Sequence, residues 1–107
     1  MRRTLTLSIL LAVATCAAAA PDAAETVRIN VDKLRFAPAE ATVHVGDEIE
    51  WTNGDFVAHT ATARDGAWDV ALPVKGSGRI VAQQVGEIDY FCRVHPNMRG
   101  HISVKPK

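Results

Sequence analysis

"ATVHVGDEIEWTNGD", Ala41 to Asp55, is the stretch that decides the fold. Val43 and Val45 stand two apart, Gly46-Asp47 interrupts, and Ile49 and Trp51 resume the same spacing. A period of two places apolar side chains on one face of a strand and polar ones on the other, so this reads as two strands joined by a turn. The pattern extends outward in both directions. Upstream, "VRINVD" puts Val27, Ile29 and Val31 on one face; downstream, "RIVAQQV", "EIDYFC" and "HISVK" continue the series. Short alternating runs punctuated by Gly, Pro, Asn and Asp predict an all-β chain of antiparallel sheets with one wet face, packed as a β-sandwich. The segment "TATARDGAWDVALPVKGSG", residues 60–78, is less regular. Turn signals at Asp65-Gly66 and Gly76-Ser77-Gly78 bracket it into a short strand or two with loops, not a helix.

The beginning of the chain has a different character. "MRR" followed by "TLTLSILLAVATCAAAA" is a basic start, an apolar run and a small-residue end. This is the pattern of a secretory signal peptide, too short for a membrane span. Residues 1–20 are expected to be the leader, cleaved near Ala19 or Ala20, with 21–26 a flexible N-terminus and 27–107 the folded domain. "VATC" is a poor lipoprotein box, so an anchor at Cys16 is the minor alternative, and the paired arginines fit a twin-arginine signal badly. Without Arg2 and Arg3 the chain keeps 10 basic residues against 12 acidic, a formal charge of −2. No basic stripe marks a nucleic-acid binder, and no later apolar segment is long enough to span a bilayer. With Cys16 in the leader, Cys92 is the single cysteine left, so an intramolecular disulfide is excluded. An unpaired thiol in an oxidising compartment has to be buried or bound.

The other end of the domain suggests what binds it. In "DYFCRVHPNMRG", Asp89 to Gly100, three soft donors recur at every third position: Cys92, His95 and Met98. Ile88, Tyr90 and Cys92 share the core face of one strand, so Cys92 stands where that strand ends. His95 and Met98 follow on a loop stiffened by Pro96 before the chain re-enters a strand. Without a metal role, Cys92 would simply be buried and His95 and Met98 simply exposed. A fourth donor has three candidates. His44 alternates with Val43 and Val45, and His101 with Ile102 and Val104, so both are expected to face solvent. His59 follows the loop "NGDFVA" and is placed to reach across one end of the sandwich. Two imidazoles, a thiolate and a thioether form a soft, mixed donor set that suits both copper oxidation states, whereas structural zinc takes four strong ligands.

Three stretches together resemble the cupredoxins, the type 1 blue copper proteins: "FAPAEATVHVGDEIEWTN", "HTATARDGAWD" and "DYFCRVHPNMRG". The resemblance spans essentially the whole chain after the leader. The C-x-x-H-x-x-M spacing with Pro96 and "MRG" is most similar to the amicyanins, while "HTATARDG" looks like plastocyanin-type relatives. It implies an eight-stranded Greek-key sandwich holding one copper, Cu(I)/Cu(II), on His59, Cys92, His95 and Met98. It also implies a periplasmic monomer that carries single electrons between redox proteins, such as a c-type cytochrome or an amine dehydrogenase, by transient docking and without enzymatic turnover. His95 would be the exit, ringed by Phe56, Val57, Pro96 and Val94, with Phe91 a weaker second route and Arg93 and Arg99 near the copper end.

Two positions depart from the family pattern. Asn usually follows the first ligand histidine and bridges to a hydroxyl residue after the cysteine; here Thr60 and Arg93 stand there. The Thr60 N–H is still expected to reach the Cys92 sulfur. Proline usually stands two residues after the cysteine; here Val94 keeps its N–H and is expected to give the thiolate a second hydrogen bond. Two other classes of function compete. A copper chaperone or scavenger more often uses Met-rich or exposed His-rich sites, and this chain has one methionine after the leader. A catalytic copper enzyme needs further centres that four histidines in one sandwich do not easily supply.

Overall fold

The computed structural model describes residues 4, 6, 8–13 and 24–107. The expected cleavage region and Cys16 lie outside the described residues. From Thr26 onward the alternation of the sequence becomes strands: β1 (Thr26–Asp32), β2 (Arg35–Ala37), β3 (Glu40–His44), β4 (Glu48–Asn53), β5 (His59–Ala63), β6 (Asp69–Leu72), β7 (Ser77–Val81), β8 (Gly86–Phe91) and β9 (Arg99–Lys105). They form two sheets, ordered β2-β1-β4-β7 and β3-β9-β8-β5-β6. No described helix is long and apolar enough to cross a membrane.

The sheets differ from the sequence expectation in three ways. Each is mixed: β1 pairs parallel to β4, and β3 parallel to β9, because the chain changes sheet between those partners. Period-two alternation reports which face is buried and is blind to strand direction, so the parallel pairs leave no trace in it. Nine strands are described where the family resemblance implied eight. The short β2 closes a hairpin on β1 whose two turn residues, Lys33 and Leu34, both have positive φ, 53° and 60°. Such turns favour Asn and Gly, and neither is present to announce this one. Finally, β5 is buried at nearly every position, because it lies between β8 and β6 with its His59 end under the loops.

The core is an aromatic cluster with aliphatic walls. Trp51 on β4 and Tyr90 on β8 face each other across the sandwich, and the indole N–H donates to the Tyr90 hydroxyl at 3.3 Å. Phe36 lies edge-on to Tyr90 with ring centroids 4.7 Å apart, and Trp68 packs against both Trp51 and Tyr90 at 5.2 and 5.5 Å. Burial pushes the Tyr90 hydroxyl up to about 12, so it stays protonated. Ile29, Val31, Val43, Ile49, Leu72 and Ile102 fill the space around these rings.

Two glycines are required by close approach. Gly100 pairs directly with Tyr90, and a Cβ at Gly100 would sit 2.2 Å from Tyr90 Cζ. A Cβ at Gly78 would sit 2.3 Å from Val70 Cγ1, so β6 and β7, from different sheets, touch along their edges. Because Tyr90 is held by Phe36, Trp51 and Trp68, it cannot yield to a methyl group. Gly100→Ala is expected to destabilise the protein by about 1–3 kcal/mol, as over-packing does, seen as a lower urea midpoint with an unchanged m-value.

Candidate metal centre

The site lies at the end of the sandwich where three connections meet: β4–β5, β6–β7 and β8–β9. Cys92 continues the inward alternation of Ile88 and Tyr90 one step beyond β8 and is 0% exposed. The loop that follows is closed by two backbone bonds. Cys92 N–H donates to the Met98 carbonyl at 3.1 Å, and Met98 N–H to the His95 carbonyl at 2.8 Å. Met98 is buried in the same apolar cluster as Cys92, and His95 is half-buried at the rim. His59, the first residue of β5, is 2% exposed.

These residues converge. His59 Nδ1 and His95 Nδ1 are 3.2 Å apart, and Cys92 Sγ lies 3.8 Å from the first and 3.9 Å from the second. A point equidistant from the three atoms lies about 2.1 Å from each, the length of a first-row metal–nitrogen bond and slightly short of a metal–sulfur one. Among the described residues, His59, Cys92 and His95 are the group of three such donors that encloses a metal-sized point. A thiolate and two imidazoles in one plane, with a thioether nearby, is the donor chemistry of a type 1 copper centre. The residues present therefore fit that ion.

The ring of His59 is oriented from behind. Its Nε2 lies 2.8 Å from Asp55 Oδ2, so Nε2–H is the donor and the Nδ1 lone pair faces the other ligating atoms. Asp55 does more than orient the imidazole. Its two oxygens accept the N–H groups of Lys33 and Leu34, at 2.8 and 3.1 Å, and so hold the positive-φ hairpin turn. The Leu34 N–H and then the His59 ring lower its carboxyl to about 2. Asn53, fully buried, completes the support. Its amide NH2 donates to the Val57, Leu72 and Pro73 carbonyls, and its Oδ1 accepts Asp55 N–H at 2.9 Å.

Sequence reasoning placed Asn53 and Asp55 in a loop and gave neither a role. The available signal was "NGD", an Asx turn four residues ahead of a candidate ligand.

The thiol accepts one backbone bond, from Thr60 N–H at 3.4 Å, as expected. Val94 N–H gives no hydrogen bond to the sulfur, so the expected second donor is absent. The chain bends away at Arg93, whose own N–H donates to Thr60 Oγ1 at 2.9 Å. A clasp between the residues after His59 and after Cys92 therefore exists with roles exchanged: the threonine hydroxyl accepts and a main-chain amide donates. The other two histidines face outward. His44 is exposed near Asp47. His101 lies between Asp89 at 2.7 Å and Glu87 at 2.6 Å, and these hydrogen bonds raise its pKa.

Phe56 is 84% exposed, and Val57, Val94 and Pro96 are exposed with it. Phe91 is half-buried under the Arg64 guanidinium, 4.5 Å above its ring.

Asp55→Asn tests the support of His59 in the copper-free protein. The ionised carboxylate contributes stability that is fully present above its ordinary pKa of 3.8 and is lost as pH falls toward 2. Urea midpoints between pH 5 and pH 2 are expected to fall less in Asp55→Asn than in the wild type. In the copper-loaded protein, the same variant is expected to bind the metal about 10–100-fold more weakly by chelator competition.

Comparison with known proteins gives the family. Residues 4–104 match the family of the cupredoxin-like domain. The amicyanin of Paracoccus versutus is 30% identical over 94 residues, covering 82% of this chain and 71% of that protein. The amicyanin of Paracoccus denitrificans is 28% identical over 95 residues, covering 82% and 72%. The crystal structure of the Paracoccus versutus protein superposes with a TM-score of 0.66 at 27% identity, covering 80% of this chain and 85% of that one. A buried cysteine at the end of a core strand, two converging imidazoles and a two-sheet β-sandwich thus occur together in a chain that belongs to the cupredoxin-like family.

Proposed function

We propose that this protein carries single electrons between redox partners, using one copper ion held by His59, Cys92, His95 and Met98. The observation that carries the reading is the spacing of three donor atoms around one metal-sized point beside a fully buried thiol. Bound there, copper supplies a one-electron couple between Cu(I) and Cu(II). The protein's part is to hold the donors still. His59 is fixed by Asp55, Cys92 by Thr60 N–H and the Met98 carbonyl, and the loop by Met98 N–H on the His95 carbonyl. Donors that need not move when the charge changes keep reorganisation small.

Electrons enter and leave by His95, whose ring lies at the rim beside the exposed Phe56, Val57, Val94 and Pro96. An exposed apolar patch beside the exit residue suits brief docking. Lys75 lies over the Phe56 ring at 4.0 Å, which favours partners with acidic rims. A c-type cytochrome or an amine dehydrogenase is the kind of partner proposed. Residues 1–20 act as the export leader and 27–107 as the working domain, placed in the periplasm as a monomer.

Copper reconstitution tests the reading directly. The expected result is an intense visible thiolate-to-copper band with reversible one-electron redox, both absent in Cys92→Ala. Colourless copper that is readily stripped would instead indicate copper handling. The docking surface has its own test in electron self-exchange between two copies. Val94→Asp is expected to slow self-exchange about tenfold or more, because like charges then face each other across the contact, with the slowing relieved at high ionic strength.

A further inference from the structure

The clasp between Thr60 and Arg93 belongs to a larger closed ring. Arg93 N–H donates to Thr60 Oγ1 at 2.9 Å, and Thr60 Oγ1 lies 2.9 Å from Thr62 Oγ1. Thr62 Oγ1 donates to Asp69 Oδ1 at 2.7 Å. Asp69 then returns to the start: its Oδ1 accepts Arg93 Nε at 3.2 Å, and its Oδ2 lies 3.2 Å from Arg93 Nη2.

The direction of every proton follows from Asp69. A carboxylate only accepts, so the Thr62 hydroxyl proton points to it. Thr62 must then accept from Thr60, and Thr60 must accept from Arg93 N–H. Each hydroxyl donates once and accepts once, so there is one consistent arrangement. Thr62 and Arg93 together hold the Asp69 carboxyl below its usual range, which keeps it in the accepting form.

The ring joins three pieces of chain. Thr60 and Thr62 share one face of β5, and Thr62 pairs across to Asp69 on β6 and to Phe91 on β8. Thr60 is the residue next to His59, and its N–H is the donor on Cys92 Sγ. Arg93 is the residue next to Cys92. The ring therefore grips the neighbours of two proposed ligands, while Asp69 itself makes no hydrogen bond to His59, Cys92 or His95.

We propose that Asp69 is a positioning residue for the copper site, setting the Thr60 N–H···Sγ bond and the course of the loop after Cys92 through Thr62, Thr60 and Arg93. The proposal rests on the copper reading above, and the hydrogen-bond ring supplies a readout that does not need the metal. Asp69→Ala leaves Thr62 free to turn, which releases the order of the chain of donors and exposes the Arg93 amide. Surface ion pairs alone contribute little. What distinguishes this one is that its carboxylate also terminates a hydroxyl chain ending on Thr60 and the Arg93 amide, and Thr60 is the residue whose own N–H donates to the thiol.

Amide exchange of the copper-free protein, read by NMR, is the first measurement. In Asp69→Ala and in Thr62→Val, the Arg93 and Thr60 amides are expected to exchange about two- to tenfold faster, the worth of one hydrogen bond. Thr62→Ser, which keeps the hydroxyl, should restore wild-type exchange. The second measurement is the reduction potential of the copper-loaded forms. Weakening the bond to the thiolate is expected to lower the potential in both Asp69→Ala and Thr62→Val. Asp69→Ala/Thr62→Val should fall no further than either single variant, since both cut one ring. Unchanged amide exchange in Asp69→Ala, an unchanged potential, or a Thr62→Ser that behaves as Thr62→Val would each overturn the proposal. Failure of the wild type to form a thiolate-to-copper band would overturn the copper reading, with the ring still judged by the amides.

Discussion

The packing of Tyr90 against Trp51 and Gly100 is the constraint on which the rest of the structure depends. The Tyr90 ring occupies the space that a side chain at position 100 would need, so β8 and β9 pair in one register only. That register places the end of β8 and the start of β9 side by side. Cys92 and Met98, each two residues from the Tyr90–Gly100 pair along the loop, are thereby brought back together by a main-chain bond. A shift of one residue would turn Cys92 to solvent and carry Met98 out of the core. The chemistry at the end of the sandwich is thus a consequence of an aromatic contact in its middle.

The opposite half of the site is assembled by polar groups. Asn53 makes three donations to carbonyls of two loops and accepts from Asp55; Asp55 in turn accepts from a hairpin turn and from His59. Buried amides and carboxylates are costly unless every group has a partner, and here the partners are numerous enough to fix the β4–β5 loop without apolar packing. His59 therefore stands on a polar scaffold and Cys92 on an apolar one. The two meet at Thr60, whose main chain serves the thiol and whose side chain serves the loop beyond it.

How much of this was legible in the sequence follows from what each signal encodes. Alternation reports burial, so Val43, Ile49, Trp51, Tyr90 and Ile102 were readable as core. The cysteine, the histidines and the methionine were readable because few residue types offer soft lone pairs. Strand direction left no mark, which hid the parallel pairs. The hairpin at Lys33-Leu34 was hidden because its positive φ angles are held by a carboxylate more than twenty residues away in sequence, not by Gly or Asn in the turn itself. Val94 shows the limit of reasoning from a missing proline. A freed N–H donates only if the chain aims it, and the bend at Arg93 does not. Thr60 and Arg93 carried no sign of their clasp because the donor is a main-chain amide, which every residue but proline possesses.

The contact at Gly78 bears on a property unrelated to redox chemistry. A sandwich has four strand edges, and each exposes unpaired main-chain groups that invite another chain to add a strand. Here the edges of β6 and β7 lie against each other, close enough that only hydrogen fits at position 78. Of the remaining two, β2 is three residues long and begins at Arg35, and β3 carries Glu40 and His44 facing solvent. The fold thus shields itself from edge-to-edge aggregation by closure on one side and by brevity and charge on the other. The apolar residues at the His95 rim, Phe56 and Val57 among them, can in this way stay bare while the strand edges invite no further strand.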